Sequence, residues 1–330
     1  MKRLLIPLIL ITLFILGALF WWKKSIGPAS NDSTLERFVI PKGYSASQIG
    51  NKLADKNFIK SSFAFKLYVQ ATAKSKRIQA GEYLLSPGFS LFELVDQLVK
   101  GPVEVWVTIP EGLRREEVVE RYINALEKGE DKQSFGQEFL SLTSGKEGFL
   151  FPDTYLFPKT ASASAVVKMM LSTFDKRIDE QMQADINVSD YTLSQIITLA
   201  SLIERETKTN EERPFVAGIL WKRLETGWPL QVDAAVQYAI ATSVCGEEFD
   251  CDWWPILTKD NLKLNSSYNT YEFAGLPPAP IANPGLSSIK AAIYPEESLY
   301  WFYLHDSKGK IHYAETLEEH NENIRIYLNK

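Results

Sequence analysis

The protein has 330 residues, with 36 Lys and Arg against 41 Asp and Glu, 45% hydrophobic residues and two cysteines. This composition excludes a disulfide-rich miniprotein, a collagen-like chain and a chain disordered throughout, because the apolar content suffices for a packed core. The length predicts roughly two domains.

The charge is unevenly distributed along the chain. Residues 1–24 contain four basic residues and no acidic one, so they carry a charge of +4. The remaining 306 residues keep 32 basic and all 41 acidic residues, which gives them a charge of −9. Nucleic-acid phosphates require a basic surface, so no nucleic-acid partner is expected for so acidic a body.

The first apolar segment is long enough to span a membrane. The nineteen residues from Leu4 to Trp22 carry no charge. As a helix they would extend about 28 Å, close to the roughly 30 Å thickness of the hydrocarbon core. The alternative is a cleaved signal peptide, which has a shorter apolar region and a small-residue cleavage site. Since the run ends in two tryptophans and two lysines, we predict an uncleaved single-pass anchor over residues 1–24, followed by a polar linker over 25–34.

Residues 35–123 contain a weak internal repeat of a short apolar strand, a turn with Pro and Gly, and an amphipathic helix. The three copies are 38–53, 83–98 and 107–122. Ser45 or Ser47 is the expected N-cap of the first helix and Ser90 that of the second. These units resemble LysM-type glycan-binding modules, and a plain α+β support domain is the alternative.

The two cysteines, Cys245 and Cys251, lie six positions apart. In a body held outside the cytoplasm such a pair would form a small loop-closing disulfide. The alternative is two unrelated thiols. No histidine lies nearby, so a zinc site is not expected.

One helix in the second half of the chain is predicted to be buried. Ser189 or Asp190 is its expected N-cap, and the apolar side chains from Leu193 to Ile203 are not confined to one stripe. A helix that is apolar nearly all round is typical of a protein interior.

The charged residues that end this helix are candidates for catalysis. Glu204 and Glu206 lie at the negative end of the helix dipole, where a carboxylate costs stability. A functional reason for that cost is a general acid, whose pKa rises in apolar surroundings. The alternative is that both carboxylates are solvated, with Arg205 and Arg213 as neighbours. Two helical positions differ by about 200°, so at most one of the glutamates faces a given cleft.

Other catalytic motifs are absent from the sequence. It has no Gly-x-Ser-x-Gly elbow, no phosphate-binding glycine loop and no His-Glu-x-x-His motif. His305, His312 and His320 lack the spacing of metal ligands, and we expect them at the surface or edge of a C-terminal sheet and helix. Carboxylates and tyrosines remain, which favours glycosidic-bond chemistry.

Residues 266–295 form a second candidate ligand region. Tyr268, Asn269 and Tyr271 precede a run rich in Pro and Gly. Such a loop has little conformational entropy to lose when it holds side chains for a ligand. Tyrosine rings and asparagine amides suit sugar rings and N-acetyl groups, and a structural Pro-rich crossover is the alternative.

Together these segments resemble the MltG (YceG-like) family of membrane-anchored endolytic murein transglycosylases. The motifs that carry the resemblance occur in family order over roughly residues 35–330. They are EGFLFPDTYLF, ASLIERET, the run with Arg223, Leu224, Gly227, Leu230, Gln231 and Asp233, then YNTY, GLPP, NPG and the closing FYLHDSKGKIHYAETLEEHNENI. Ser267 and Ala279 stand where the family often has Pro and Gly.

The resemblance implies an α+β protein with an N-terminal transmembrane helix, a LysM-like subdomain over 35–123 and a mixed, mainly helical catalytic domain over 124–330. It places the body on the periplasmic side of the inner membrane. The implied activity is non-hydrolytic cleavage of MurNAc-β-1,4-GlcNAc bonds in nascent peptidoglycan strands, which leaves 1,6-anhydroMurNAc ends and terminates elongation. Peptidoglycan strands are the implied substrate, and cell-wall synthases are candidate partners.

The resemblance also assigns the site. Aligned through ASLIERET, the family's catalytic glutamate falls on Glu206, with Glu204 as the alternative. No metal or organic cofactor is expected. Two further functions stay open, namely a non-catalytic membrane-tethered scaffold that binds peptidoglycan and a hydrolase with two carboxylates. The candidate substrate-binding residues are Gln231, Asp233, Tyr268, Asn269, Tyr271, Glu147 and Asp153.

Overall fold

The computed structural model describes residues 2–246, 248–249 and 251–328, and for residues 2–9 it describes the backbone alone. Over these residues the chain is a helix-rich α+β protein with small sheets, as predicted. It forms two compact units. Unit 1 comprises Met1–Val107 and Leu156–Thr160, and unit 2 comprises Thr108–Tyr155 and Ala161–Lys330. The first division between the units falls after Val107, and Leu156–Thr160 belong again to unit 1, whereas the sequence predicts a boundary between residues 123 and 124.

Unit 1 is built on a four-stranded sheet of order β1-β2-β3-β4, in which β1 pairs antiparallel with β2 and β2 with β3. The four strands and the helices that precede β3 are α1 (Lys2–Ile26), β1 (Glu36–Ile40), α2 (Ala46–Asp55), α3 (Ser62–Ala71), a short 3-10 helix (Lys74–Arg77), β2 (Gly81–Leu85), α4 (Leu91–Lys100), β3 (Glu104–Thr108) and β4 (Thr154–Pro158).

The predicted repeat is present as strand, turn and helix in all three copies. Ser45, not Ser47, caps α2, because its hydroxyl accepts from the Gln48 N–H while the Gln48 side chain accepts from the Ser45 N–H. Ser90 caps α4 in the same way through Glu93. The apolar faces of α2, α3 and α4 then pack on β1 and β2 around residues such as Phe38, which is fully buried.

Among the described residues, no helix is both long enough and apolar enough to cross a membrane. The predicted anchor includes residues 1–9, and neither Met1 nor the side chains of 2–9 belong to what the structure describes. The anchor therefore stays a prediction.

Unit 2 is mainly helical and ends in a β-hairpin followed by a helix. Its elements are α5 (Arg115–Ala125), a 3-10 helix (Gly129–Asp131), α6 (Lys132–Leu142), α7 (Ala163–Arg177), α8 (Glu180–Val188), α9 (Leu193–Glu206), α10 (Arg213–Glu225), α11 (Asp233–Cys245), a 3-10 helix (Asn261–Lys263), α12 (Leu286–Ile293), β5 (Phe302–His305), β6 (Ile311–Ala314) and α13 (Leu317–Tyr327).

Helix α9 is the core of unit 2. Every residue from Ile196 to Ile203 is buried, and α10 and α12 pack against it, so the predicted buried helix is confirmed. The predicted N-cap was wrong. Thr192 caps α9 because it forms a reciprocal capping box with Gln195, whereas Ser189 follows the end of α8.

The predicted disulfide is confirmed. Cys245, the last residue of α11, is bonded to Cys251 with their Cα atoms 5.9 Å apart. Cys245 packs with Ala241 and Trp253 in a small apolar cluster. Residues Glu247 and Asp250 of this loop lie outside the described residues.

Candidate active site

The two glutamates at the end of α9 point in different directions. Glu204 is partly buried, with its side chain 7% exposed, and its carboxylate accepts from Arg213 Nη2 at 3.0 Å, from the Gly285 N–H at 2.9 Å and from Ser288 Oγ at 2.8 Å. Through these three donors the carboxylate connects the end of α9 to α10 and to the start of α12. Glu204 is therefore a structural ion-pair partner.

Glu206 lines a cavity of about 450 Å³ together with Arg223, Asp233 and Tyr303. It is partly buried, and its Oε2 accepts a hydrogen bond from the Tyr303 hydroxyl at 3.0 Å. The interpretation in which both carboxylates are solvated is therefore wrong. As the helical rotation requires, only one of the two faces this cavity.

The surroundings of Glu206 bring the pKa of its carboxyl close to neutral pH. The pKa of its carboxyl is raised to about 7, mainly by burial. The hydrogen bond from Tyr303 acts in the opposite direction and lowers this pKa. The neighbouring Asp233 carboxylate raises this pKa further, and the guanidinium groups of Arg223 and Arg205 lower it. Burial also raises the pKa of Tyr303 well above its usual range, so that the phenol stays a donor. Glu206 can therefore give and take a proton near pH 7.

Three of the predicted substrate-binding residues meet at this cavity. Gln231, Asp233 and Tyr271 line it, and the Tyr271 hydroxyl donates to Asp233 Oδ1 at 2.6 Å. Two hydrogen bonds from backbone N–H groups join the segments that carry them. The Gln231 N–H donates to the Thr270 carbonyl at 3.0 Å, and the Val232 N–H donates to Thr270 Oγ1 at 2.9 Å.

Arg223 fixes two further walls of the cavity. This buried residue of α10 donates through Nη1 to the Leu230 carbonyl at 2.7 Å and through Nη2 to the Trp301 carbonyl at 2.6 Å. It thereby ties the segment before α11 to the segment before β5. The sequence analysis named Arg223 as part of a motif without a role.

Asn269 and Tyr268 support the site from outside the described cavity lining. Asn269 is fully buried, and its Nδ2 donates to the carbonyls of Leu262 and Leu264 at 2.9 and 2.8 Å. Its Oδ1 accepts from the Tyr271 N–H at 3.0 Å, which sets the backbone of that tyrosine. Tyr268 packs on Tyr238 with ring centroids 4.9 Å apart. Both residues therefore hold neighbouring parts of the site in place and are not among the described residues that line the cavity.

The expectation that Glu147 and Asp153 face the cleft is corrected by their partners. Glu147 is buried, and it accepts from the Arg115 N–H at 3.1 Å and from Asn283 Nδ2 at 2.7 Å. Burial raises the pKa of Glu147 to about 8. Asp153 pairs with Arg177 at 2.5 Å. Neither is among the described residues that line the cavity, and the carboxylates of both have partners elsewhere in the protein.

The histidines lie on the predicted C-terminal elements, but two of them also line the cavity. His305 of β5 lies 3.2 Å from Glu212 Oε2 through Nε2, and His320 belongs to α13. His312 of β6 contacts Asp306 at 3.1 Å. Across the residues that the structure describes, no group of three or more His, Cys, Asp or Glu side chains could hold a metal ion.

Tyr303 was missed by the sequence analysis. It lies 97 positions from Glu206 in the chain, and its hydroxyl reaches the end of α9 only in the folded protein. An alternating apolar and polar strand gives no signal for such a contact.

The chain is similar to known proteins over most of its length. Residues 38–326 match the YceG-like family. The chain is 32% identical to the endolytic murein transglycosylase of Bacillus subtilis (strain 168), over 96% of this chain and 91% of that protein. It is 27% identical to the endolytic murein transglycosylase of Streptococcus pneumoniae serotype 2 (strain D39), over 90% of this chain and 60% of that protein.

A solved structure is similar over most of the chain. The 2.6 Å crystal structure of a YceG-like protein from Listeria monocytogenes has a TM-score of 0.58 and 30% sequence identity, with 88% of this chain and 98% of that chain covered. Since the family match spans both units and the Bacillus protein is similar over nearly its whole length, this chain belongs to the YceG-like family.

Proposed function

We propose that this protein is an endolytic lytic transglycosylase of peptidoglycan, with Glu206 as its single acid and base. The observation that carries the proposal is one carboxyl group whose pKa lies near 7, placed in a cavity of about 450 Å³. The relatives that cover most of the chain are named endolytic murein transglycosylases, which supports the same substrate. Cell-wall synthases are the partners that we propose for an enzyme acting on growing strands.

The reaction needs one proton carrier. Protonated Glu206 donates to the glycosidic oxygen while the bond from C1 of MurNAc to that oxygen breaks. The C6 hydroxyl of the same MurNAc attacks C1 and forms the 1,6-anhydro ring, and its proton passes to the Glu206 carboxylate. Because the nucleophile belongs to the substrate, proximity replaces an activated water.

Neighbouring groups prepare both steps. Tyr303 holds the Glu206 carboxyl through its hydrogen bond, which fixes the direction of proton transfer. The Asp233 carboxylate, held by Tyr271, lies on the same cavity and can stabilise positive charge at C1 as the bond breaks. Tyr271 itself can orient the N-acetyl group.

Mass spectrometry of the released glycan chains tests the proposal. Purified full-length protein and uncrosslinked peptidoglycan strands should give products that carry an anhydro end. A hydrolase with two carboxylates, for which Asp233 is the second candidate, would instead add one water and leave a reducing end. Reducing ends as the sole new termini would overturn the transglycosylase.

Replacing Tyr303 should shift the pH dependence of the reaction. The Tyr303 hydroxyl stabilises the ionised form of Glu206, so Tyr303→Phe should raise the pKa of Glu206 above about 7. Activity requires the protonated acid, so the decline of kcat/KM at rising pH should move to higher pH in the variant. Tyr300→Phe, on the same segment, is the matched control, and pH profiles that coincide for Tyr303→Phe and the parent would contradict the assigned contact.

We also propose that residues 4–22 anchor the protein in the inner membrane, with both units on the periplasmic side. Helix α1 spans Lys2–Ile26, and from Leu10 to Trp21 its large apolar side chains are exposed, with Phe14 at 78% and Phe20 at 74%. Apolar side chains that are this exposed would be unfavourable in water, and the hydrocarbon core of a bilayer would cover them. Alkaline carbonate extraction should leave the protein in the membrane pellet, and release into the supernatant would overturn the anchor.

For unit 1 we propose a LysM-like role in holding the glycan, with a plain support role as the alternative. The run β1, α2, α3, β2 packs on one core, and Tyr44 in its first turn is 40% exposed beside Lys52. Full-length Tyr44→Ala should pellet less with peptidoglycan sacculi. Equal pelleting of variant and parent would favour the support role.

A further inference from the structure

A second cavity, of about 470 Å³, adjoins the Glu206 cavity. The two cavities are neighbours, because Gln231, Phe302 and Leu317 line both of them. The second cavity is closed on its other sides mainly by Trp228, Trp301 and Glu315. None of these three residues has a part in the proton transfers described above.

Two tryptophans form its base. Trp228 is 43% exposed, an unusual exposure for so large an apolar ring, and its ring centroid lies 4.9 Å from that of Trp301 in an edge-to-face arrangement. The Lys222 ammonium lies 4.7 Å from the centre of the Trp301 ring and donates to the Ser298 carbonyl at 2.7 Å. The rings are therefore fixed before any ligand arrives.

The backbone around Trp228 is fixed as well. Gly227 has φ +72° and Gln231 has φ +57°, which in a residue with a side chain is a conformation that requires support. The Trp228 N–H donates to the Arg223 carbonyl at 2.8 Å, and the Arg223 guanidinium holds the carbonyls of Leu230 and Trp301. One buried arginine thus positions both tryptophans and the wall that the two cavities share.

The chemistry of this surface selects a neutral, hydroxylated ring. Glu315 lines the second cavity, and Glu206 and Asp233 line the first. Arg223 also lines the first cavity, but its guanidinium donates to the Leu230 and Trp301 carbonyls, so the carboxylates disfavour an anionic ligand. The negative face of an indole attracts the weakly positive C–H face of a pyranose. Acceptors on Glu315 and the amide of Gln231 suit hydroxyl and N-acetyl groups.

We propose that the cavity beside Trp228 is a subsite for a neutral N-acetylhexosamine ring of the same glycan strand that occupies the Glu206 cavity. This assignment rests on the proposed function, and it names a contact by which the enzyme holds a strand away from the bond it cleaves. Gln231, shared by both cavities, spans the junction between neighbouring sugars.

A binding assay without turnover tests the subsite. Full-length Glu206→Gln protein in detergent is titrated calorimetrically with tetra-N-acetylchitotetraose, a chain of neutral N-acetylhexosamines. Adding Trp228→Ala should weaken binding by about tenfold or more, the factor that 1.4 kcal/mol of lost contact produces. Phe273→Ala is the matched control, since Phe273 is an aromatic residue 46% exposed in unit 2 that is not among the described residues lining either cavity, and it should leave the affinity unchanged.

A second measurement does not depend on how the alanine variant folds. In the ¹⁵N-labelled Glu206→Gln protein, the indole N–H resonance of Trp228, assigned through Trp228→Phe, should shift on addition of the same oligosaccharide. The resonance of Trp253, which is buried against Arg114, should stay in place. Equal affinity with and without the Trp228 ring, or a Trp228 resonance that does not move at the highest concentration, overturns the subsite. If Glu206→Gln retained full activity, the proposed catalyst would fail while the Trp228 result would still stand.

Discussion

Glu206→Gln should lower the rate of anhydro-product formation by a factor of about 10² to 10⁴, the usual contribution of a general acid and base. Glutamine keeps the size of the side chain and an oxygen that can accept from Tyr303, but it carries no proton that it can donate to the glycosidic oxygen. The measurement is the initial rate of anhydro-ended chain release from defined peptidoglycan strands. Glu211→Gln, an exposed position between α9 and α10, is the matched control and should retain the parent rate.

This variant also separates an enzyme from a scaffold. A membrane-tethered protein that only binds peptidoglycan would release no chains before or after the substitution. Loss of anhydro products with retained pelleting on sacculi supports the enzyme, whereas unchanged product release would remove Glu206 from the mechanism.

The stability of Glu206→Gln gives an internal check on folding. The pKa of Glu206 rises from 4.5 to about 7 on folding, so between these values the folded state binds more protons than the unfolded state. The contribution of this group to the free energy of unfolding therefore falls as the pH rises from about 4.5 to 7 and is constant above that window. The variant lacks this decline, so its stability relative to the parent should increase across the same window in urea unfolding.

Asn283→Ala should reduce the free energy of unfolding by about 3 kcal/mol or more, because several buried polar groups lose their partner at once. The Asn283 side chain accepts from the N–H groups of Gly148 and Leu150, both at 2.9 Å. It donates to the Leu113 carbonyl at 3.0 Å and to the buried Glu147 carboxyl at 2.7 Å. Alanine fills none of these roles, and the position is remote from bulk water, since Asn283 is 1% exposed.

Urea unfolding measures this loss, with Asn321→Ala on the exposed face of α13 as the matched control. Asn283 is not among the described residues of the Glu206 cavity, so the folded fraction should keep its activity. A change in unfolding free energy below about 0.5 kcal/mol, the range of ordinary surface substitutions, would contradict this account of the NPG motif.

The local elements of this protein could be predicted well from its sequence. A segment that is apolar nearly all round identified the buried helix that ends at Glu206, and Pro-Gly turns identified the repeated strand and helix units of residues 38–122. Those signals act between residues close in the chain, where backbone geometry dictates which side chains share a face. The error at the N-cap of α9 arose because Ser189, Asp190 and Thr192 all have capping side chains, and only Thr192 has Gln195 three positions later.

The resemblance through ASLIERET placed the catalytic glutamate on Glu206, but the physical reason for preferring it to Glu204 lies in contacts between distant segments. Residue spacing on the helix required that the two carboxylates diverge, but it gave no preference between them. Arg213, Gly285 and Ser288 engage Glu204, and Tyr303 reaches Glu206 from β5. Each partner comes from another element, so the different surroundings of the two carboxylates depend on tertiary packing rather than on the spacing of residues along the helix.

The sequence by itself determined the class of the protein, its uneven charge, its cysteine pair and the set of carboxylates, tyrosines and amides from which a site could be built. Tertiary structure alone decided which of these share a cavity. It gathered Gln231, Asp233 and Tyr271 around Glu206 and assigned Asn269, Glu147 and Asp153 to structural partners. The physical reason is that the pKa and partners of a polar group depend on what is buried around it, and burial is set by the fold as a whole.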